Sequence, residues 1–307
     1  MASLLTGIHH VTALAKDPKA NHAFYTSVLG MRMVKKTVNF DDPLTYHLYY
    51  GDHHGAPGTL LTHFPHPTAK RGVHGSPEII ETRLRVAAGS IEEWAGRLTD
   101  SGIAAATIEK GGERRLDFAD HDGMRFALVE DDEAGATEDS IRGIEGVVIH
   151  VPRVTETRRF LTEVLGFEDA GSPGSSHRFV LGQGQPGQRQ ELCETPVDTA
   201  TMMGAGIVHL VAWRVPSDET QAEVARALTA VGIAVTPVMD RQYFRSIYFR
   251  IPGGVIFEVA TDGPGFDVDE PLGSLGQALK LPPQYESRRD SIEASLMPIG
   301  HTARGSQ

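Results

Sequence analysis

A chain of 307 residues is long enough to bury a large core and to hold two ordinary domains or several small modules. Its formal net charge of -11, with acidic and basic residues mixed rather than blocked, excludes nucleic acid and anionic membranes as natural partners and points to small molecules. The single cysteine, Cys193, excludes a disulfide framework and any zinc site built from several cysteines; without a signal-like leader or an apolar run of spanning length, the expectation is a cytoplasmic protein.

In chain order, Gly7 opens a strand (GIHHVTALA), followed by a helix from Asp17 to Leu29 with Asp17 as N-cap and Pro18 in its first turn, then strands near MRMVKKTV, TYHLYYGD and TLLTHF. The same order returns three times. The second copy reads IIETRLRVA, a helix from Ser90 to Leu98 closed at Gly102, then IAAATIEK, RRLDFAD and MRFALVED. The third, after an acidic connection from Asp131 to Arg142, reads GVVIHVP, a helix from Thr155 to Leu165 closed by Gly166, then strands near FEDAG, HRFVLG and RQELCE. The fourth reads GIVHLVAWRV, a helix from Asp218 to Val231 closed by Gly232, then IAVTPVMD, RSIYFRI and VIFEVA. No module of this size buries both faces of its sheet, so the expected class is α+β: four βαβββ modules paired into two curled mixed β-sheet barrels with helices outside. The connection near 131–142 suggests two sequential domains, 1–135 and 142–266, each of two modules, and a tail, 267–307, carrying one helix. A Gly-, Ser- and Gln-rich segment from Ser172 to Arg189 reads as a mobile loop, and the acidic run from Asp267 to Glu270 as a solvated cluster.

Chemistry concentrates in the stretch RQYFRSIYFRIPGGVIFEVATDGPGF, where Glu258 interrupts an apolar run. If Pro252-Gly253-Gly254 form the turn of a hairpin, Tyr248 faces Glu258 across it, roughly 5 Å away at Cβ, and Arg241 lies close enough along the chain to reach the same space. Far upstream, alternation places Ile8, His10 and Thr12 on one face of the first strand and His9 on the other. His209 occupies the matching strand of the fourth module. With His10 and Glu258 it would give two histidines and one carboxylate, a ligand set that leaves coordination positions open. A regular strand, however, turns His209 away and directs Leu210 at the pocket, so the set requires a bulge. His47 reads as a half-buried strand residue. No glycine-rich phosphate loop follows a strand, which leaves a nucleotide cofactor without a site.

The blocks GIHHVTALAKDPKANHAFYTSVLGMRMVKKTVNFDDPLTYHLYYGD, RSIYFRIPGGVIFEVATDGPGF and ALKLPPQYESRRDSIEASL resemble the ring-cleaving dioxygenases of the vicinal oxygen chelate superfamily, nearest the branch acting on hydroquinones and substituted aromatic diols. The resemblance implies an Fe(II) or Mn(II) centre held by His10, Glu258 and a histidine of the fourth module, His209, although the family's paired histidines stand here as His209-Leu210. It also implies that Tyr248 and Arg241 assist the chemistry. Two adjacent histidines on the first strand suggest one that coordinates, His10, and one oriented behind it, His9, with Thr12 on the face of His10 as a further supporting residue. The implied partners are an aromatic diol and dioxygen, and exposed sheet edges suggest a homodimer. The alternative is a protein of the same fold that holds an aromatic or quinone ligand without turnover.

Overall fold

The computed structural model describes residues 3–110, 113–131, 140–172, 174–195 and 200–299. The tail beyond residue 299 and most of the acidic connection lie outside these residues. The first module comprises β1 (Gly7–Ala15), α1 (Pro18–Ala23) continued by a π turn over Phe24–Val28, β2 (Arg32–Val38), β3 (Tyr46–Gly51) and β4 (Leu60–Pro65). The second comprises β5 (Glu78–Ala87), α2 (Ile91–Asp100), β6 (Ala105–Lys110), β7 (Glu113–Ala119) and β8 (Arg125–Asp131). The third comprises β9 (Gly143–Val151), α3 (Val154–Glu163), β10 (Glu168–Asp169), β11 (Ser176–Val180) and β12 (Arg189–Glu194). The fourth comprises β13 (Val208–Val215), α4 (Asp218–Ala230), β14 (Met239–Asp240), β15 (Arg245–Arg250) and β16 (Ile256–Thr261), and the tail ends in α5 (Arg289–Ser295).

Local chemistry accounts for the element ends. The Asp17 carboxylate accepts the backbone N–H groups of Lys19 and Ala20 ahead of α1. Gly102, Gly166 and Gly232 all take the left-handed conformation soon after a helix. In α2, Ile91, Trp94 and Leu98 form one buried stripe against the sheet. The segment 172–189 departs from the expected loop, since β11 lies inside it and pairs with both β10 and β12.

The modules pair across the midpoint of the chain. One sheet runs β14-β15-β16-β13-β1-β4-β3-β2, joining the fourth module to the first; the other runs β10-β11-β12-β9-β5-β8-β7-β6, joining the third to the second. The expected division into halves, 1–135 and 142–266, is therefore not how the sheets are built: antiparallel pairing of β1 with β13 and of β5 with β9 makes each curled sheet from modules of opposite halves. This topology carries function, because it places residues near position 10 beside residues near position 258.

Three further features shape the interior. The four central strands each carry a bulge, at His9 in β1, Ile80 in β5, Glu145 in β9 and His209 in β13, as the register shifts show. The tail is clasped to β2 by Lys35, which is fully buried and donates to the carbonyl of Phe266 at 3.1 Å, to Asp269 at 2.6 Å and to Glu270 at 2.5 Å. The acidic run expected to be solvated thus supplies two counter-ions for a buried cation. Finally, the turn after β15 is seated against the third module, where a Cβ on Gly253 would meet Val151 Cγ1 at 2.5 Å.

Candidate active site

The hairpin β15–β16 has the register expected from its turn: Tyr248 pairs with Glu258 and Ser246 with Ala260. Ile251 N–H donates to the Val255 carbonyl at 3.1 Å, and Gly254 closes the turn with φ +91. Since β16 also pairs with β13, and β13 with β1, Glu258 lies beside Ala212 and Ala212 beside His10. Three adjacent strands thereby bring His10 Nε2 to 3.3 Å from Glu258 Oε2, both groups almost fully buried.

The bulge at His9 changes the expected alternation. Instead of leaving on opposite faces, the two imidazoles meet, Nδ1 to Nδ1 at 2.9 Å, and both rings pack on Phe244. Burial first, then His10 and Arg214, push the His9 pKa well below the ordinary value. With the two Nδ1 atoms in contact one ring donates to the other, and His10 turns its Nε2 toward the Glu258 carboxylate. Between Nε2 and the carboxylate there is place for one positive charge, a proton on Nε2 or a metal cation in its stead. Glu258 is the matching anion. Burial raises its pKa, but His10, the Ser246 hydroxyl and Arg241 outweigh burial and hold the carboxyl below the usual range. Ser246 donates to its other oxygen in a short hydrogen bond.

These two donors suit a divalent cation; the expected third does not join them. Leu210, paired with Thr12 and 5 % exposed, lines the pocket, whereas His209 falls in the bulge between the Leu210 and Val208 pairings and is absent from the lining. The bulge that could have turned His209 inward is present, and Leu210 still takes the inner position. Among the described residues no group of three or more His, Cys, Asp or Glu side chains is placed to hold a metal ion.

Arg241 and Tyr248 complete the wall. Arg241 Nε donates to the Tyr248 hydroxyl at 3.0 Å, and the guanidinium lies 5.3 Å from the Tyr248 ring centroid. A tight turn aims Arg241: Tyr243 N–H donates to the Arg241 carbonyl at 2.7 Å, and Gln242 between them is the one non-glycine residue with positive φ, +66, among those described. Burial, then Glu258, raise the Tyr248 pKa, so the phenol keeps its proton. Thr12 accepts from the Thr62 hydroxyl at 2.9 Å, which in turn bonds His47 Nε2 at 3.0 Å. His47, read from sequence as an ordinary strand residue, lines the pocket and accepts from the Tyr49 hydroxyl at 2.9 Å; burial first, then His10, hold it neutral. The sequence signal that could have found it was its alternation with Thr45 and Tyr49 on an inward face.

The second sheet provides a contrast. Its cavity, about 240 Å3, is lined by Arg83, Glu145, Arg178, Arg189 and Glu191 among others. Glu81 follows the bulge of β5 as His10 follows that of β1, and Arg83 bridges Glu81 and Glu191 at 2.8 and 2.9 Å. A guanidinium already balances the carboxylates there. In the first sheet, by contrast, His10 and Glu258 meet in the pocket with no guanidinium of the described residues bridging them.

The profile of the Glyoxalase/Bleomycin resistance protein/Dioxygenase superfamily matches residues 7–137. A Bacillus subtilis (strain 168) protein provisionally named ring-cleaving dioxygenase MhqO is 41% identical over 97% of this chain and 98% of its own. The chlorohydroquinone/hydroquinone 1,2-dioxygenase of Sphingobium indicum is 30% identical over 93% of this chain and 94% of its own. A solved Bacillus subtilis structure provisionally designated a dioxygenase superposes with a TM-score of 0.92 at 40% identity, covering 97% of this chain and 99% of that one. Glyoxalase I from Zea mays, 14% identical with a TM-score of 0.63 over 83% of this chain and 92% of that one, shares the fold. By sequence over nearly its whole length, the chain belongs to the glyoxalase/bleomycin resistance protein/dioxygenase superfamily and, within it, to the ring-cleaving dioxygenases.

Proposed function

We propose that the protein is a metal-dependent dioxygenase that opens the ring of a hydroquinone- or catechol-type diol and incorporates both atoms of dioxygen. The observation that carries this reading is the convergence of His10 Nε2 and the Glu258 carboxylate at 3.3 Å in a buried pocket walled by a guanidinium and a phenol. Held by His10 and Glu258, an iron(II) or manganese(II) ion would supply Lewis acidity to ionise the diol and a redox route to dioxygen.

The residues of the chain supply the rest. Arg241, mostly buried, attracts an ionised ring oxygen and keeps its charge. Tyr248, which accepts from Arg241 and retains its own proton, is a proton donor to an oxygen that gains negative charge as the ring opens. Leu210, Phe64 and Phe244 press an aromatic ring from its apolar faces. His47, held neutral, fixes Thr62 and Tyr49 and adds no competing charge.

A second reading, a protein that binds an aromatic ligand without turnover, is favoured by one observation: Leu210 stands where a third donor would. Oxygen uptake separates the two. Purified without oxygen and supplied with iron(II) or manganese(II), the protein is expected to consume dioxygen with hydroquinone or catechol. Ligand binding without uptake would favour the second reading. In either case the exposed sheet edges suit a homodimer.

A further inference from the structure

The pocket is smaller than the ring it is proposed to accept. Its free volume is about 40 Å3, enough for a few waters, whereas an apolar cavity that holds benzene is on the order of 150 Å3. Most of its lining belongs to paired strands of the first sheet and cannot withdraw without breaking that sheet. The exceptions include Asn39, Phe40 and Asp41, on the connection between β2 and β3. That connection keeps its own shape, with Asn39 N–H donating to the Thr45 carbonyl at 2.8 Å, Thr45 N–H to the Asp42 carbonyl at 3.0 Å, and Asp41 N–H to Asn39 Oδ1 at 2.9 Å. A loop bonded within itself can swing about its ends as a unit once the hydrogen bond that the Tyr285 hydroxyl of the tail donates to the Phe40 carbonyl, 2.8 Å long, yields with it.

Its link to the fourth module runs through Arg241. Asp41 accepts from both outer nitrogens of that guanidinium, Nη1 at 3.4 Å and Nη2 at 3.1 Å, and the Phe40 ring lies 5.9 Å from it. The two partners differ in setting: the Arg241 side chain is 16% exposed and that of Asp41 65%. An anion reached from solvent thus closes onto a cation that faces the pocket.

We infer that Asp41 is a stand-in anion: it occupies Arg241 while the pocket is closed, and the ionised oxygen of an entering aromatic ring displaces it, releasing residues 39–45 as the gate. Exchanging one anion for another on the same guanidinium leaves no buried charge unpaired, so the gate opens at little cost for an anionic ring. An aromatic ring with no hydroxyl that can ionise in the pocket gives Arg241 no replacement and is selected against. The inference rests on the assignment of this pocket as the substrate site, and the test separates the two. Hydrogen exchange is followed in residues 39–45 of the ligand-free protein, and the anaerobic binding of 4-nitrocatechol, whose nitro group acidifies a hydroxyl, is measured by its absorbance. Asp41→Asn is expected to speed exchange in 39–45 before any ligand is added and to tighten 4-nitrocatechol binding by about two- to fivefold, the range of an exposed ion pair. Asp41→Glu, which keeps the charge, is expected to stay near the parent protein in both. Unchanged exchange in ligand-free Asp41→Asn overturns the latch whatever the ligand does. Faster exchange with no tightening overturns the competition between Asp41 and the ligand, and faster exchange with no binding to either protein sinks the pocket assignment instead.

Discussion

At the scale of single residues, three side chains decide what this pocket can do. His10 and Glu258 offer an imidazole nitrogen and a carboxylate oxygen 3.3 Å apart, and Leu210 closes the place where a third donor would complete a facial set. Replacing that leucine is therefore informative: Leu210→His is expected to tighten divalent-metal binding by at least about tenfold in equilibrium dialysis. Unchanged affinity would show that position 210 does not face the cation. Tyr248 tests the proton-donor role. Tyr248→Phe keeps the ring but loses the hydroxyl that Arg241 bonds, and is expected to slow oxygen uptake by about 100- to 10,000-fold with little change in metal content. Much at this scale was legible from sequence. Glu258 announced itself as a charge in an apolar run, and strand alternation already pointed Leu210 inward. The pairing of His9 with His10 was expected, but the bulge that brings the rings together was not legible, because it overrides alternation and leaves no mark in a single sequence. His47 and Asp41 were likewise hidden, since their importance depends on which strands become neighbours.

At the scale of elements, the hairpin of β15 and β16 shows how a turn fixes a site. A three-residue Pro-Gly-Gly turn dictates that Tyr248 and Glu258 pair, and a loop shorter by one residue would send one of them to the other face. The turn is also wedged against β9 and α3, so Gly253 has no room for a side chain. Gly253→Ala is expected to destabilise the protein by about 1–3 kcal/mol in urea unfolding. A change within about 0.5 kcal/mol, the usual range of a surface substitution, would mean that the turn does not press on the third module. Helix limits and most strands of all four modules were readable from periodicity, caps and closing glycines. β10 and β14 shrank to two residues each because short edge segments have little buried surface to define them.

At the scale of the whole molecule, the pairing of modules was what sequence left open. Both arrangements, neighbour with neighbour or first with fourth, satisfy the same fourfold pattern, and the contacts of β1 with β13 and of β5 with β9 distinguish them. The arrangement found makes the site depend on both ends of the chain, and the tail reinforces it through Lys35. Removing the ammonium would leave Asp269 and Glu270 facing each other without their cation, so Lys35→Ala is expected to cost about 3–5 kcal/mol in denaturant unfolding. A small loss would show that the clasp is dispensable. The central claim, that an N-terminal histidine and a C-terminal glutamate share one cation, is tested most directly by titrating manganese(II) into the metal-free protein and following the free ion by electron paramagnetic resonance. The account predicts about one bound manganese per chain and loss of that binding in both His10→Ala and Glu258→Gln; undiminished binding in either variant would contradict it.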